Sequence, residues 1–187
     1  MAYDPEIHHR RSVRLKEFNY SRHGAYFITI CTQNKDCLFG KIVEGKMVLN
    51  EYGSIVETEW TNTSKIRNNV KLDEFIVMPS HVHGIIIIMD DCCEGTRQRA
   101  PTGYNAPITE SFGKPTHNSI PTIIRSFKSA VTKQINELRN TPKLSLWQNN
   151  YYEHIIRNEN ELNQIRQYII ENPLKWDLDE ENPLYKL

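Results

Sequence analysis

The chain has 187 residues, 39% of them hydrophobic, and its 23 Lys or Arg are matched by 23 Asp or Glu, the composition of an ordinary globular protein with enough chain to bury one core unaided. Its longest apolar run, Ile85 to Met89, is far shorter than the roughly 20 residues that span a bilayer, and "MAYDPEIHHRRSVRL" lacks the apolar stretch of a secretory signal, so a cytoplasmic protein without membrane contact is expected. Cys31, Cys37, Cys92 and Cys93 fall in no C-x-x-C spacing, which fits reduced thiols and argues against a zinc ribbon.

In chain order, "AYFITICTQN" (25–34) is rich in aromatic and β-branched residues and closes on polar turn formers, the pattern of a strand. "LFGKIVEGKMVLN" follows, with Glu44-Gly45 between two short apolar segments, which predicts a hairpin. Apolar residues Tyr52, Ile55, Val56, Trp60 and Ile66 then recur with a helical period opened by Asn50 as N-cap. "VKLDEFIVMPSHVHGIIIIM" predicts two antiparallel strands broken near Pro79 and Ser80, since proline cannot donate to a central ladder. Residues 90–118, rich in Gly, Pro, Thr and Asn, read as a long exposed loop.

"SIPTIIRSFKSAVTKQINELR" predicts a helix capped by Ser119 with Pro121 in its first turn. Its apolar face holds Ile123, Ile124, Phe127, Ala130, Val131 and Ile135, and its other face carries Arg125, Lys128 and Lys133. A short strand near Tyr152 to Ile156 precedes a last helix, started by Asn158 with Glu161 three residues on and stopped by Pro173 at about Asn172. The order describes a single α+β domain over residues 1–187, a central antiparallel sheet with helices packed mainly on one face. Residues 177–187 are an acidic tail.

Charge is unevenly spread. From Arg97 to Lys143 eight Lys or Arg stand against two acids, while from Glu153 onward eight acids stand against four bases. A basic face for phosphates is compatible with this, as are ordinary solvated helix surfaces.

The chemistry gathers in "SHVHG". Side chains at i and i+2 of a strand share one side roughly 7 Å apart, so His81 and His83 can turn their rings toward one point while Val82 faces the core. Two converging imidazoles are half of a transition-metal site, though such pairs also occur on strand edges without one. At least one more protein ligand is needed, and no H-x-H-x-D-H or H-E-x-x-H run supplies it nearby, so it must come from a distant segment.

With "MPSHVHG" running into an aliphatic strand, then "WQNNYYEHIIRN" and "QYIIENPLKW", the sequence from about Arg11 to Trp176 resembles the HUH-type single-tyrosine transposases of the smallest insertion sequences, and most of all their REP-associated relatives. Ser80 departs from the asparagine frequent before the first histidine in that family, and the 90–118 loop is longer than in compact members. The resemblance implies a ferredoxin-like HUH nuclease core that cuts single-stranded DNA at hairpin or palindromic elements. A tyrosine attacks the phosphodiester, leaving a 5′-phosphotyrosine and a free 3′-OH, with a divalent metal, Mg2+ or Mn2+, on the histidine pair. The Tyr-Ile-x-x-Asn-Pro segment of the family maps the nucleophile onto Tyr168 and a third metal ligand onto Asn172. Helical spacing agrees, because residues four apart share a face, with Leu162, Ile165 and Ile169 on the adjoining stripe. Family members act as monomers or homodimers, and either is open for this chain.

Tyr151 and Tyr152 are rival nucleophiles, beside Glu153 and His154 as supporting polar groups. Phosphate contacts are expected from Arg10, Arg11, Arg14, Arg125, Lys128, Lys133 and Arg157, with Gln148 and Trp147 as further DNA contacts, the tryptophan being equally a core residue. Two other accounts stay open: a catalytically silent hairpin-DNA-binding regulator of the same fold, and an unrelated metal hydrolase of a small phosphate ester, in which Tyr168 would be dispensable.

Overall fold

The computed structural model describes residues 20–89 and 118–183. Arg10, Arg11, Arg14 and the 90–118 loop up to residue 117 therefore lie outside the described residues. In chain order the elements are β1 (Gly24–Cys31), β2 (Gly40–Val43), β3 (Lys46–Leu49), α1 (Glu51–Ile66), β4 (Val70–Val77), β5 (His81–Ile88), α2 (Ile120–Leu138), β6 (Tyr152–Ile156) and α3 (Glu159–Glu171), followed by a 3-10 helix at Asn172–Leu178. Four strands form the main sheet in the order β4-β5-β1-β6, every neighbouring pair antiparallel, while β2 and β3 make a separate hairpin. Setting the hairpin aside, the main sheet and its helices follow β-α-β-β-α-β, the ferredoxin-like arrangement expected from the sequence.

Two of the three helices share one face. There α1 and α2 bury Val56, Trp60, Ile123, Ile124, Phe127 and Val131 against Ile28, Ile30, Val82, Ile86 and Ile88. On the opposite face α3 covers a smaller cluster in which Ile169 meets Phe27, Ile85 and Ile156, with Leu162 and Ile165 packed beside it. Burial on both faces is why β5 reads as an almost unbroken apolar run. Gly84 sits on the α1 side of that strand, where a Cβ would stand 2.3 Å from Trp60 Cζ2; glycine lets the indole lie flat on the sheet.

Local signals fold as their chemistry dictates. Glu44 and Gly45 both take left-handed backbone angles (φ 51° and 71°), the requirement of a two-residue type I′ hairpin turn. Asn50 caps α1 by accepting from Gly53 N at 3.0 Å. Ser119 stands at the N-cap of α2 but makes no side-chain bond to the first turn's backbone; its hydroxyl meets Thr122 Oγ1 at 3.2 Å instead. At α3, Asn158 Oδ1 accepts from Glu161 N at 2.9 Å, while Glu161 Oε2 reaches Arg157 N at 2.7 Å, one residue before the reciprocal partner of a capping box.

Two side-chain ties fix α3 over the sheet. His154 Nε2 lies 2.7 Å from Glu161 Oε1, joining the helix start to β6. Arg166 donates from Nε and Nη2 to the two carboxylate oxygens of Asp73, each at 2.7 Å, a bidentate clamp onto β4. Asp73 lies within the register shift between Leu72 and Phe75. The acidic segment that follows is docked: Lys35 Nζ bonds Glu180 O at 2.7 Å and Glu181 Oε2 at 3.0 Å, and Ser80 Oγ donates to Glu181 O at 2.8 Å. Among the described residues no helix is long and apolar enough to cross a membrane.

Candidate active site

His81 and His83 enter the site from the first and third residues of β5, on the α3 side of the sheet. Their ring centroids are 4.4 Å apart and both are buried. Each ring is held at Nδ1 by a hydroxyl. Thr29, the cross-strand partner of His83, places Oγ1 2.9 Å from its Nδ1. Ser80 Oγ lies 3.3 Å from His81 Nδ1, and because its own proton goes to Glu181 O, the serine oxygen is left to accept from the ring. His81 is thereby the Nδ1–H tautomer, with the Nε2 lone pair turned into the site. Burial, with Lys35 adding to it, pushes the His81 pKa down to about 3. For His83, burial and then the neighbouring His81 press well below the usual range, against a smaller opposing pull from Asp179. Both imidazoles are neutral at neutral pH.

Tyr168 and Asn172 come down on this pair from the end of α3. The Tyr168 hydroxyl lies 3.3 Å from His83 Nε2, while the residue remains 43% exposed. Phe27 stacks on His83 at 5.4 Å and meets Tyr168 edge-on at 6.0 Å, so one apolar ring sets the spacing of the two functional ones. Burial first and the Asp179 carboxylate second push the phenol up to about 12, and a side-chain hydrogen bond from Asn172 works the other way. Asn172 is itself buried, and its Oδ1 has no partner.

A third group arrives from the docked acidic segment. Asp179 Oδ1 accepts from Glu181 N at 2.7 Å, and Oδ2 stops 3.8 Å from His81 Nε2. Ligand atoms of His81, His83 and Asp179 all lie within 4.8 Å of one another. His81 Nε2, Asn172 Oδ1 and Asp179 Oδ2 are each buried without a hydrogen-bond partner. Orphaned buried polar atoms cost about 1–3 kcal/mol apiece, and His81 Nε2 and Asp179 Oδ2, two buried acceptors 3.8 Å apart with no donor between them, are an environment a cation satisfies. Two imidazole nitrogens with a carboxylate oxygen are a donor set that can hold a divalent metal ion.

The other sequence candidates are placed elsewhere. Tyr151 packs beside the larger core, its ring 5.6 Å from Lys128 Nζ, away from the histidines. Tyr152 shares the α3 side but meets Phe27, at 6.2 Å. His154 is engaged with Glu161. Trp147 is core, packed on Phe39 and Phe127. Lys128 donates to Gln148 O and Asn150 O at 2.8 and 3.0 Å, and burial pushes its ammonium down to about 8. Arg125 and Lys133 are exposed on α2, across the sheet from the site, and Arg157 follows the end of β6 remote from it. Thr29 and Asp179 escaped sequence reasoning: a threonine in a strand reads as an ordinary strand former, and no periodicity links an acid in a charged tail to a helix seven residues earlier.

No family model matches the chain. It is 43% identical over 178 residues, 95% of this chain and 96% of the other, to a Haemophilus influenzae protein described as uncharacterized. Among solved structures it is similar to a REP-associated tyrosine transposase bound to a REP hairpin, at TM-score 0.49 and 16% identity over 91% of this chain and 75% of that one. A provisionally assigned transposase from Deinococcus radiodurans follows at TM-score 0.41 and 18% identity, over 88% of this chain and 98% of that one. At these TM-scores the likeness fixes no chemistry.

Proposed function

The chain belongs to one family with that Haemophilus influenzae protein, and from its site and motifs we propose that it is a metal-dependent single-stranded DNA endonuclease and strand transferase, a transposase of the HUH single-tyrosine kind that cuts at hairpin-associated sites. The observation that carries this reading is the Tyr168 hydroxyl 3.3 Å from His83 Nε2, at the edge of a pocket of buried, unpartnered ligand atoms. A tyrosine that is 43% exposed, beside buried and unpartnered ligand atoms, suits attack on a phosphodiester better than it suits a structural contact.

In the proposed reaction Tyr168 Oη attacks phosphorus, the P–Oη bond forms and the P–O3′ bond breaks. The phenol gives up its proton and the departing 3′ oxygen takes one up, leaving a 3′-OH and a 5′-phosphotyrosine. Because the ester conserves the energy of the cleaved bond, a 3′-OH can attack it in turn and release Tyr168, which is strand transfer. Asn172 has two tasks in this reading: its amide hydrogen steadies negative charge on the phenol oxygen, offsetting part of the upward push of burial, and its buried, unpartnered Oδ1 would serve as a metal ligand. A divalent cation on His81, His83 and Asn172 would polarise a phosphate oxygen and offset the charge that builds there. Arg125 and Lys133, across the sheet, would serve hairpin binding rather than cleavage.

The test mixes the protein with labelled single-stranded hairpin DNA from the flanks of its gene, with Mn2+ or Mg2+, and resolves covalent adducts on a denaturing gel. An adduct is expected, lost in Tyr168→Phe and on chelation. Hairpin binding without an adduct would favour the silent regulator; an adduct that survives Tyr168→Phe would move the nucleophile to another tyrosine, Tyr152 first.

A further inference from the structure

We propose that Asp179 is a further protein ligand of the cation in this site, supplied by the segment that follows the nucleophile helix; this rests on the metal reading above. The argument begins with protons. Ser80 spends its hydroxyl proton on Glu181 O, at 2.8 Å, so His81 carries its proton on Nδ1 and presents a bare lone pair at Nε2. Facing that lone pair, 3.8 Å away, is Asp179 Oδ2, also buried and also unpartnered. The distance is too long for a hydrogen bond, and the tautomer leaves no proton to make one. Two buried acceptors pointed at each other repel unless a cation lies between them.

The spacing fits that role. Two ligand atoms each roughly 2.1 Å from a shared ion lie at most about 4.2 Å apart, which the 3.8 Å separation satisfies. No two ligand atoms of the His81, His83 and Asp179 set are more than 4.8 Å apart, so contraction by at most about 0.6 Å brings all three to coordinating distance. The carboxylate is also pre-aimed. Glu181 N holds Asp179 Oδ1 at 2.7 Å, and Glu181 is itself anchored by Lys35 at 3.0 Å and Cys31 Sγ at 3.3 Å. The arm that carries Asp179 is thus fastened to the end of β1 and the turn after it, beside the histidines. Without Asp179 the ligand set is two neutral imidazoles and a neutral amide; with it the site gains the one formal negative charge that a hard divalent cation favours.

The experiment titrates Mn2+ into the full-length protein and follows free Mn2+ by electron paramagnetic resonance. Wild type is compared with Asp179→Asn, His81→Ala and Glu180→Gln, and unfolding of each is recorded in chelator. Asparagine keeps the Oδ1 acceptor and the side-chain shape; Asp179→Ala serves as a second variant should the amide still ligate. Loss of mere supporting partners weakens metal sites about 10- to 100-fold, so Asp179→Asn or Asp179→Ala should weaken Mn2+ binding at least about tenfold, with no fall in chelator melting temperature for Asp179→Asn, which keeps the acceptor for Glu181 N. Glu180→Gln, which removes a neighbouring charge but no proposed ligand, should change affinity by less than about twofold. Wild-type affinity in both Asp179 variants, with binding lost in His81→Ala, would overturn the proposal and leave the metal reading standing. An equal loss in Glu180→Gln would show only a field effect and overturn it too. Wild-type affinity in His81→Ala as well would bring down the metal reading itself.

Discussion

Replacing Thr29 by valine isolates the hydroxyl that holds His83. The side chain is buried in β1 directly across from that histidine, and its Oγ1 lies 2.9 Å from Nδ1. Valine has nearly the same volume and the same preference for a strand, so no cavity opens and the backbone is undisturbed. What disappears is one hydrogen bond, and what remains is a buried ring nitrogen with no partner, a cost of about 1–3 kcal/mol. For a chain of 187 residues each kcal/mol moves the melting temperature by roughly 2–4 °C, so a drop of about 2–12 °C is expected in chelator. The ring also loses its fixed orientation, and Mn2+ affinity should fall about 10- to 100-fold. Thermal unfolding by circular dichroism and a Mn2+ titration read the two effects separately, with Thr29→Ser as the control that keeps the hydroxyl. If valine matches wild type in both, the hydroxyl does not hold the ring; if only the melting temperature falls, it satisfies the nitrogen without orienting the ligand.

Gly84→Ala drives a methyl to 2.3 Å from Trp60 Cζ2 and should cost about 1–3 kcal/mol through displacement of the buried indole, read as a lower melting temperature with red-shifted or broadened tryptophan fluorescence. Asp73→Ala frees Arg166, whose side chain is about a third exposed, so stability should fall by about 1 kcal/mol or less. Adduct formation should fall at least about tenfold because Tyr168 sits two residues further along the released helix; equal rates would mean that the clamp does not position it. In chelator the protein should lose stability on acidification from about pH 6.5 downward. His81 and His83 bind protons near pH 6.5 when unfolded but resist them when folded, so the unfolded state takes up more protons through that window. The slope approaches about 1.4 kcal/mol per pH unit for each histidine. A melting temperature flat between pH 7 and 5 would contradict their neutral burial.

Hairpin, caps and strand breaks were legible because each is a short-range demand. Glu44-Gly45 needs left-handed angles at two adjacent positions, Asn50 and Asn158 satisfy the first turns of their own helices, and Pro79 interrupts a ladder. The alternation of β5 was legible too: its period of two puts Val82 with the larger core and both histidines on the other side. For the candidate site, the spacing of His81 with His83 and of Tyr168 with Asn172 could be read directly, since each pair lies within one regular element.

Which element faces which was decided only by folding. Sequence placed Tyr168 and Asn172 on one helix face, but α3 had to pack on the sheet face that α1 and α2 leave open before that face met the histidines. The same packing put Tyr151 beside the other core and consigned Arg125 and Lys133 to the far side of the sheet. Thr29 and Asp179 came to the site from 54 residues before His83 and from 98 residues after His81 along the chain. Neither could announce itself, because a strand threonine and a tail aspartate are each an ordinary choice locally. Local sequence sets backbone conformation and side-chain period over a few residues, whereas a buried cluster of polar atoms exists only once distant segments have excluded water together.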